Sequence, residues 1–480
     1  MKRSITMADI VIIGCGVIGA ATAFYLSRYD LDIVVVEKEN DVAMGTSRAN
    51  SAIIHAGYDP EPGTLAAKLN VEGSRLAEHL APELSVPYIR NGSLVLAFDG
   101  EDEKTLQRLK NNADKNGVEG ARIISKEELR EKEPNVSPDA VSALYAPTGA
   151  IINPWEYTLA FIEVAVKNGV KLERRTEVFG IEKDTDGYLV KTNNGELRTK
   201  YIINCAGTHA DEIHAFVAPA TFKMTPAKGE YYLLDKSAGA TVSHTVFQCP
   251  KAEGKGVLVT PTVHGNLLVG PDALPSGKDD TSTVAEGLLS VKERAKKSVP
   301  SVDFRSSIRN FAGVRANTDK NDFIIDFAAE NFLDIAGIRS PGLSAAPAVA
   351  LYAIKKLRKN GLVLYEKEKF ASTRRVFRFS ELSAEEKNEK IKEDPLYGKI
   401  VCRCEKITEG EIRDCFCSKV PPVSVDGVKR RVNAGMGRCQ GGFCSPRVVA
   451  IIAEELGIKT EDVVKDRDGS YILAKGGGNL

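Results

Sequence analysis

Gly14-x-Gly16-x-x-Gly19 stands between an apolar, β-branched run at residues 9–13 and a helix-compatible stretch at 17–28, and a second apolar run at 31–37 ends on Glu37. Strand, helix and strand within about 30 residues make a βαβ unit, which requires a parallel sheet. Gly14 permits the tight turn, Gly16 lets the main chain approach a pyrophosphate, and Gly19 lets the helix pack closely on the strand. The helix N-terminus offers unpaired N–H groups and a partial positive charge to phosphate oxygens. Glu37, 18 residues after Gly19, is suited to accept hydrogen bonds from adenosine ribose hydroxyls, and its charge argues against the 2′-phosphate of NADP. The fingerprint by itself fits FAD or NAD. Its place at the N-terminus of a discontinuous α/β domain favours FAD.

The same stretch mimics a secretion signal, because the chain starts Met-Lys-Arg and residues 10–26 carry no charge. The run is 17 residues, marginal for a membrane span, and the fingerprint accounts for its glycines. No other long uncharged apolar segment occurs, so the expected location is the cytoplasm, with a peripheral membrane contact left open. Lys plus Arg and Asp plus Glu both number 65, and this zero net charge argues against broad adhesion to nucleic acid or anionic membrane. Hydrophobic content of 43% and charged content of 27% fit an ordinary folded protein.

The 480 residues are enough for about three domains. Residues 201–207 and 333–337 each read as a buried strand ending in a small-residue turn, and a helix-like run follows at 345–357. Between them, residues 220–310 alternate in strand fashion around Gly, Pro and Asn turns, as an inserted antiparallel sheet does. The fold class is therefore α/β with an α+β insertion. A Rossmann-like dinucleotide domain (about 7–80, 141–220 and 311–365) is interleaved with an antiparallel-sheet substrate domain (about 81–140 and 221–310). Residues 101–135 read as a charged helical cover, 371–398 as a charged linker, 399–460 as a small, mainly helical cysteine domain, and 461–480 as a tail.

Six of the nine cysteines fall between 402 and 444. Cys402-x-Cys404 and Cys439-x4-Cys444 form two close pairs, and four thiolates so arranged suit zinc or an iron–sulfur cluster. Glycines around the second pair let main-chain N–H groups approach cluster sulfurs. Cys415 and Cys417 point apart at helical spacing and read as bystanders, while Cys15 and Cys205 read as small packing residues.

The segment Gly45-Thr-Ser-Arg-Ala-Asn-Ser-Ala-Ile-Ile-His-Ala-Gly-Tyr58 and its continuation to Lys68 closely resemble the flavin loop of the D-amino-acid-oxidase-like flavoproteins. Within them it is most similar to the glycerol-3-phosphate oxidase/dehydrogenase and L-2-hydroxyglutarate oxidase branch. Asn204-Cys-Ala-Gly207 and Ile338-Arg-Ser-Pro-Gly-Leu-Ser-Ala-Ala-Pro347 resemble two further flavin turns of that family. The resemblance implies that Gly14, Gly16, Gly19, Glu37, Thr46, Ser47, Val178, Gly207 and Leu343 lie near FAD. It also implies that His55 is the base that takes a hydroxyl proton while the flavin takes a hydride, and that Arg315 grips the anionic end of the substrate. Ser51, Lys255 and Ser344 are the further substrate contacts expected, and His264 reads as a packing histidine. Two cations, Lys255 and Arg315, favour a phosphate dianion, hence glycerol 3-phosphate rather than L-2-hydroxyglutarate or another 2-hydroxy or amino acid.

The cysteine block, with Gly435-Met-Gly-Arg-Cys-Gln-Gly-Gly-Phe-Cys-Ser-Pro446, resembles the bacterioferritin-associated-ferredoxin-like 2Fe–2S domain. The family motif often ends Cys-x-x-Cys, and the four-residue gap here matches the form appended to flavin dehydrogenases. The resemblance implies Cys402, Cys404, Cys439 and Cys444 as cluster ligands. It implies a dehydrogenase whose electrons leave one at a time to a partner protein or quinone, rather than an oxidase. A non-catalytic electron-transfer subunit is the rival of another class.

Overall fold

The computed structural model describes residues 7–250 and 256–474. Strand β1 (Met7–Ile13), helix α1 (Val17–Leu26) and strand β2 (Ile33–Glu37) form the expected βαβ unit. Both strands are almost wholly apolar and buried, as parallel strands covered on both faces must be. β1 pairs in parallel with β2 on one side and with Gly195–Asn204 on the other, and β2 continues to Lys171–Arg174. Phe332–Ala336 adds a further parallel strand beside Gly195–Asn204. The hairpin Val178–Asp184/Gly187–Thr192 completes one edge of this eight-stranded sheet.

Helix α1 packs with the helices Pro154–Lys167 and Gly342–Lys359, and Leu65–Glu83 packs on the last of these. Their apolar faces form the largest core with one side of the sheet, around Ile12, Phe24, Tyr157 and Phe161. The second sheet has nine strands, mostly antiparallel, built around Ala227–Leu234, Thr245–Gln248, Leu258–Pro261 and Leu267–Gly270. It also recruits Ser93–Ala97, Arg122–Ser125, Ser142–Ala146 and Ser307–Arg315.

Two expected boundaries therefore move. Residues 142–146 pair with Ser93–Ala97, and 311–315, the end of the strand Ser307–Arg315, pair with Ala227–Tyr231, so both belong to the second sheet rather than to the dinucleotide domain. The charged cover is two helices, Gly100–Asn116 and Lys126–Lys132, around the strand Arg122–Ser125. The charged linker contains a helix, Ala384–Glu393, started by a Ser383/Glu386 capping box.

The cysteine block forms a third core, with Ile412, Val428, Val448, Ile451 and Ile452 buried among short helices. The chain beyond it departs from the expected tail. Residues 464–471 fold back as a tight turn closed by Lys465 N–H to Ser470 O at 2.7 Å, and Val464 bridges both Ser424 and Tyr471. Residues 475–480, and with them the glycine-rich end, lie outside the described residues. Among the described residues no helix is long and apolar enough to cross a membrane.

Candidate active site and cluster module

The fingerprint turn is held by its own chemistry. Gly14 has φ +97°, and a Cβ there would stand 2.6 Å from the Cys205 carbonyl oxygen. A Cβ on Gly19 would stand 2.0 Å from the Gly14 carbonyl oxygen, so Gly19 serves packing and does not itself line the cavity. The Glu37 carboxylate accepts from the main-chain N–H of Cys15 at 2.8 Å and of Glu39 at 3.0 Å. Burial raises the Glu37 pKa, and those two donors oppose the rise. Ser47 Oγ accepts from the Val17 N–H at 2.9 Å, tying the flavin loop to the first turn of α1. Thr46 donates to the Val314 carbonyl at 2.6 Å, tying the same loop to the second sheet.

These groups open onto one cavity of about 1080 Å³ between the two sheets. Gly14, Gly16, Glu37, Thr46, Ser47, Val178, Gly207 and Leu343 all line it, and so do Ser51, His55 and Arg315. Pockets for single ligands run to roughly 300–1,000 Å³, so the volume suits a dinucleotide with a small substrate beside it. Positive φ at Gly207 and an open position for its Cβ leave the main chain bare at the second turn.

His55 follows the two-residue strand Ile53–Ile54. Its ring lies 5.9 Å from the Phe247 ring, and Nε2 is 3.3 Å from Ser340 Oγ. Its main chain is fixed on both sides: the N–H donates to Ser344 Oγ at 2.7 Å, and the carbonyl accepts from Asn70 Nδ2 at 3.1 Å. Ser344 is a correction. Its side chain is fully buried and does not line the cavity, because the hydroxyl is occupied by the His55 N–H and the Ile53 carbonyl. It holds the His55 segment.

Arg315 ends the strand Ser307–Arg315. Its guanidinium donates to the main-chain carbonyls of Lys228 at 3.1 Å and Asp272 at 2.9 Å. Those bonds orient the group without neutralising it, and further N–H donors remain for an anion. Ser51 Oγ lies 3.0 Å from the Tyr231 hydroxyl, and Tyr231 stacks on Phe311 with ring centres 4.8 Å apart. Tyr231 also lines the cavity, a contact that its strand pattern alone did not distinguish. Lys255 lies outside the described residues. His264 packs as expected: Asn153 Nδ2 is 3.0 Å from its Nε2, and burial pushes its pKa down to about 4.

In the cysteine module, Cys404 Sγ is 3.8 Å from Cys439 Sγ, and the Cys402 thiol lies beside that of Cys444. Main-chain N–H groups of Phe443, Gly441 and Gly442 face the Cys439 sulfur, and those of Gly435 and Glu405 face Cys402. Among the described residues no three His, Cys, Asp or Glu side chains converge as a single-ion site. Four thiols in two pairs, with main-chain N–H groups aimed at sulfur, fit a 2Fe–2S cluster. Cys415 is buried and donates to the Ile412 carbonyl at 2.8 Å, and Cys417 is exposed, so neither joins the pairs.

The module docks on the loop between the two flavin segments. Asp41, wholly buried, accepts from Arg430 at 3.0 Å and from Arg431 at 2.9 Å. Burial alone would raise the Asp41 pKa, but Arg431 and then Arg430 outweigh it and hold the carboxyl well below the usual range.

Comparisons with known proteins agree with this geometry. A model of the FAD dependent oxidoreductase family matches residues 9–355, and a model of the BFD-like [2Fe-2S] binding domain matches 400–454. A glycerol 3-phosphate dehydrogenase of Caloramator mitchellensis is 52% identical over 97% of this chain and 98% of its own length. A glycerol 3-phosphate oxidase of Mycoplasma genitalium is 35% identical over 73% of this chain and 94% of its own. Among solved structures, the dithionite-reduced L-α-glycerophosphate oxidase of Mycoplasma pneumoniae with FAD bound superimposes with a TM-score of 0.73 at 35% identity, over 77% of this chain and 98% of that one.

Proposed function

The chain belongs to the FAD dependent oxidoreductase family, and from that premise we propose that it oxidises glycerol 3-phosphate to dihydroxyacetone phosphate and passes the electrons on through its 2Fe–2S cluster. The observation that carries the reading is one cavity in which the fingerprint, His55 and Arg315 meet, in a chain 52% identical over 97% of its length to a glycerol 3-phosphate dehydrogenase.

Bound FAD supplies the two-electron acceptor for the hydride leaving C2 of the substrate. His55 takes the proton of the C2 hydroxyl at Nε2, so that loss of proton and hydride together leaves a ketone. Arg315, already aligned by two carbonyls, meets the phosphate with its remaining donors. Lys255 is the second proposed phosphate cation, and Ser51, backed by Tyr231, is the proposed hydroxyl contact. Ser344 positions His55 through its main-chain N–H. Cys402, Cys404, Cys439 and Cys444 are the proposed cluster ligands, two to each iron.

The electron route draws its support from extent. The Mycoplasma genitalium oxidase matches 94% of its own length within 73% of this chain, whereas the dehydrogenase match spans 97% of it. A partner protein or quinone is the proposed final acceptor. The test is a substrate panel with an artificial electron acceptor. Glycerol 3-phosphate should give the highest kcat/KM, and a clear preference for L-2-hydroxyglutarate or an amino acid would overturn the assignment.

A further inference from the structure

The turn at 464–471 does more than close the cysteine module. Its side chains reach both ends of the loop that joins Glu37 to Thr46. Asp466 pairs with Arg48 and with Arg430, the latter at 2.8 Å. Asn40 donates to the Asp466 carbonyl at 2.8 Å and to the Asp468 carboxylate at 3.1 Å. Asp468 in turn accepts two bonds from Arg175, at 2.6 and 2.9 Å. Between the two aspartates, Arg467 turns inward and lines the same cavity as Glu37, Glu39, Val178 and His209. Its Nε is 3.3 Å from Glu39 Oε1, and its side chain is 38% exposed.

We propose that Arg467 is a cofactor-binding residue contributed by the cluster module, which meets the adenosine half of FAD and closes the dinucleotide end of the cavity. The placement follows from its neighbours, since Glu39 lies two residues beyond the carboxylate assigned to the ribose. Guanidinium is suited to this position because it can donate to hydroxyl or phosphate oxygens and can lie against a flat ring. The contacts of Asp466 and Asp468 with Arg48, Arg430, Asn40 and Arg175 fix the turn, so little main-chain freedom remains to be lost when FAD binds. FAD binding and docking of the cluster module then support one another, as linkage between two sites requires.

The inference rests on FAD occupying this cavity. The test uses full-length holoenzyme of the wild type, R467A and R467Q. Each is diluted, and release of FAD is followed by the rise of flavin fluorescence, with iron content and the melting temperature measured in parallel. Loss of one charge-assisted contact should raise the FAD dissociation constant about tenfold in both variants. Iron content should stay at the wild-type level, because Arg467 touches none of the cysteine pairs. R467Q keeps a polar side chain of similar reach and serves if R467A does not fold. Wild-type protein that binds no FAD would overturn the cofactor reading beneath the inference. Wild-type protein that holds FAD while a folded variant holds it equally tightly would overturn the role of Arg467 alone.

Discussion

His55 is held from behind, its main-chain N–H donating to Ser344 and its carbonyl accepting from Asn70. The histidine stood in a recognisable flavin-loop segment, and the structure puts it on the cavity wall. Replacing it with alanine should lower kcat by about 10²–10⁴, the usual worth of a general base, with the flavin spectrum of the purified protein unchanged. Near-normal turnover would remove it from the proton path. Ser344 sat in an equally recognisable segment, but sequence gives no direction for a side chain at a helix start. The fold turns its hydroxyl onto the His55 N–H. Ser344→Ala leaves that buried donor unpaired, at a cost of about 1–3 kcal/mol. We expect a lower melting temperature and a fall in kcat smaller than that of His55→Ala. A variant with wild-type kcat and stability would contradict the positioning role.

At the scale of elements, the βαβ unit was readable because period, glycine spacing and the terminal acid all agree within a few dozen residues. The strand 142–146 and the strand end 311–315 were not, because a strand's sheet membership is decided by partners far along the chain. The loop after β2 is the clearest case. Nothing local marks Asp41 as the anchor for a domain nearly 400 residues away. Asp41→Asn should break a buried charge cluster at a cost of about 3–5 kcal/mol and expose the docking face to limited proteolysis. The pH dependence has a definite sign. The folded-state pKa of Asp41 lies below its ordinary 3.8, so the contribution is fully present above that value and is lost only as pH falls through the lower, folded-state pKa. Thermal melting should therefore show no Asp41-dependent loss between neutral pH and pH 5, and an acid loss that Asp41→Asn lacks. A neutral-pH transition that disappears in the variant would contradict this assignment.

At the scale of the molecule, two interleaved sheets enclose the cavity and a third unit is bolted to its dinucleotide end by Asp41, Arg430 and Arg431. The three-part plan was visible from composition and motif, whereas the docking that makes the parts one machine was not, since it depends on surfaces that only folding brings together. Cys402→Ser should lower bound iron and slow reduction of cytochrome c by the enzyme, while anaerobic reduction of the flavin by substrate continues. An unchanged rate to cytochrome c in an iron-free variant would take the cluster off the electron route. The proposed reaction requires glycerol 3-phosphate to deliver its electrons to the flavin held in this cavity. Its most direct test is the visible absorbance of the purified holoenzyme during anaerobic titration with glycerol 3-phosphate. Stoichiometric substrate should bleach the flavin band, and an oxidised band that persists in excess glycerol 3-phosphate would overturn the proposed reaction.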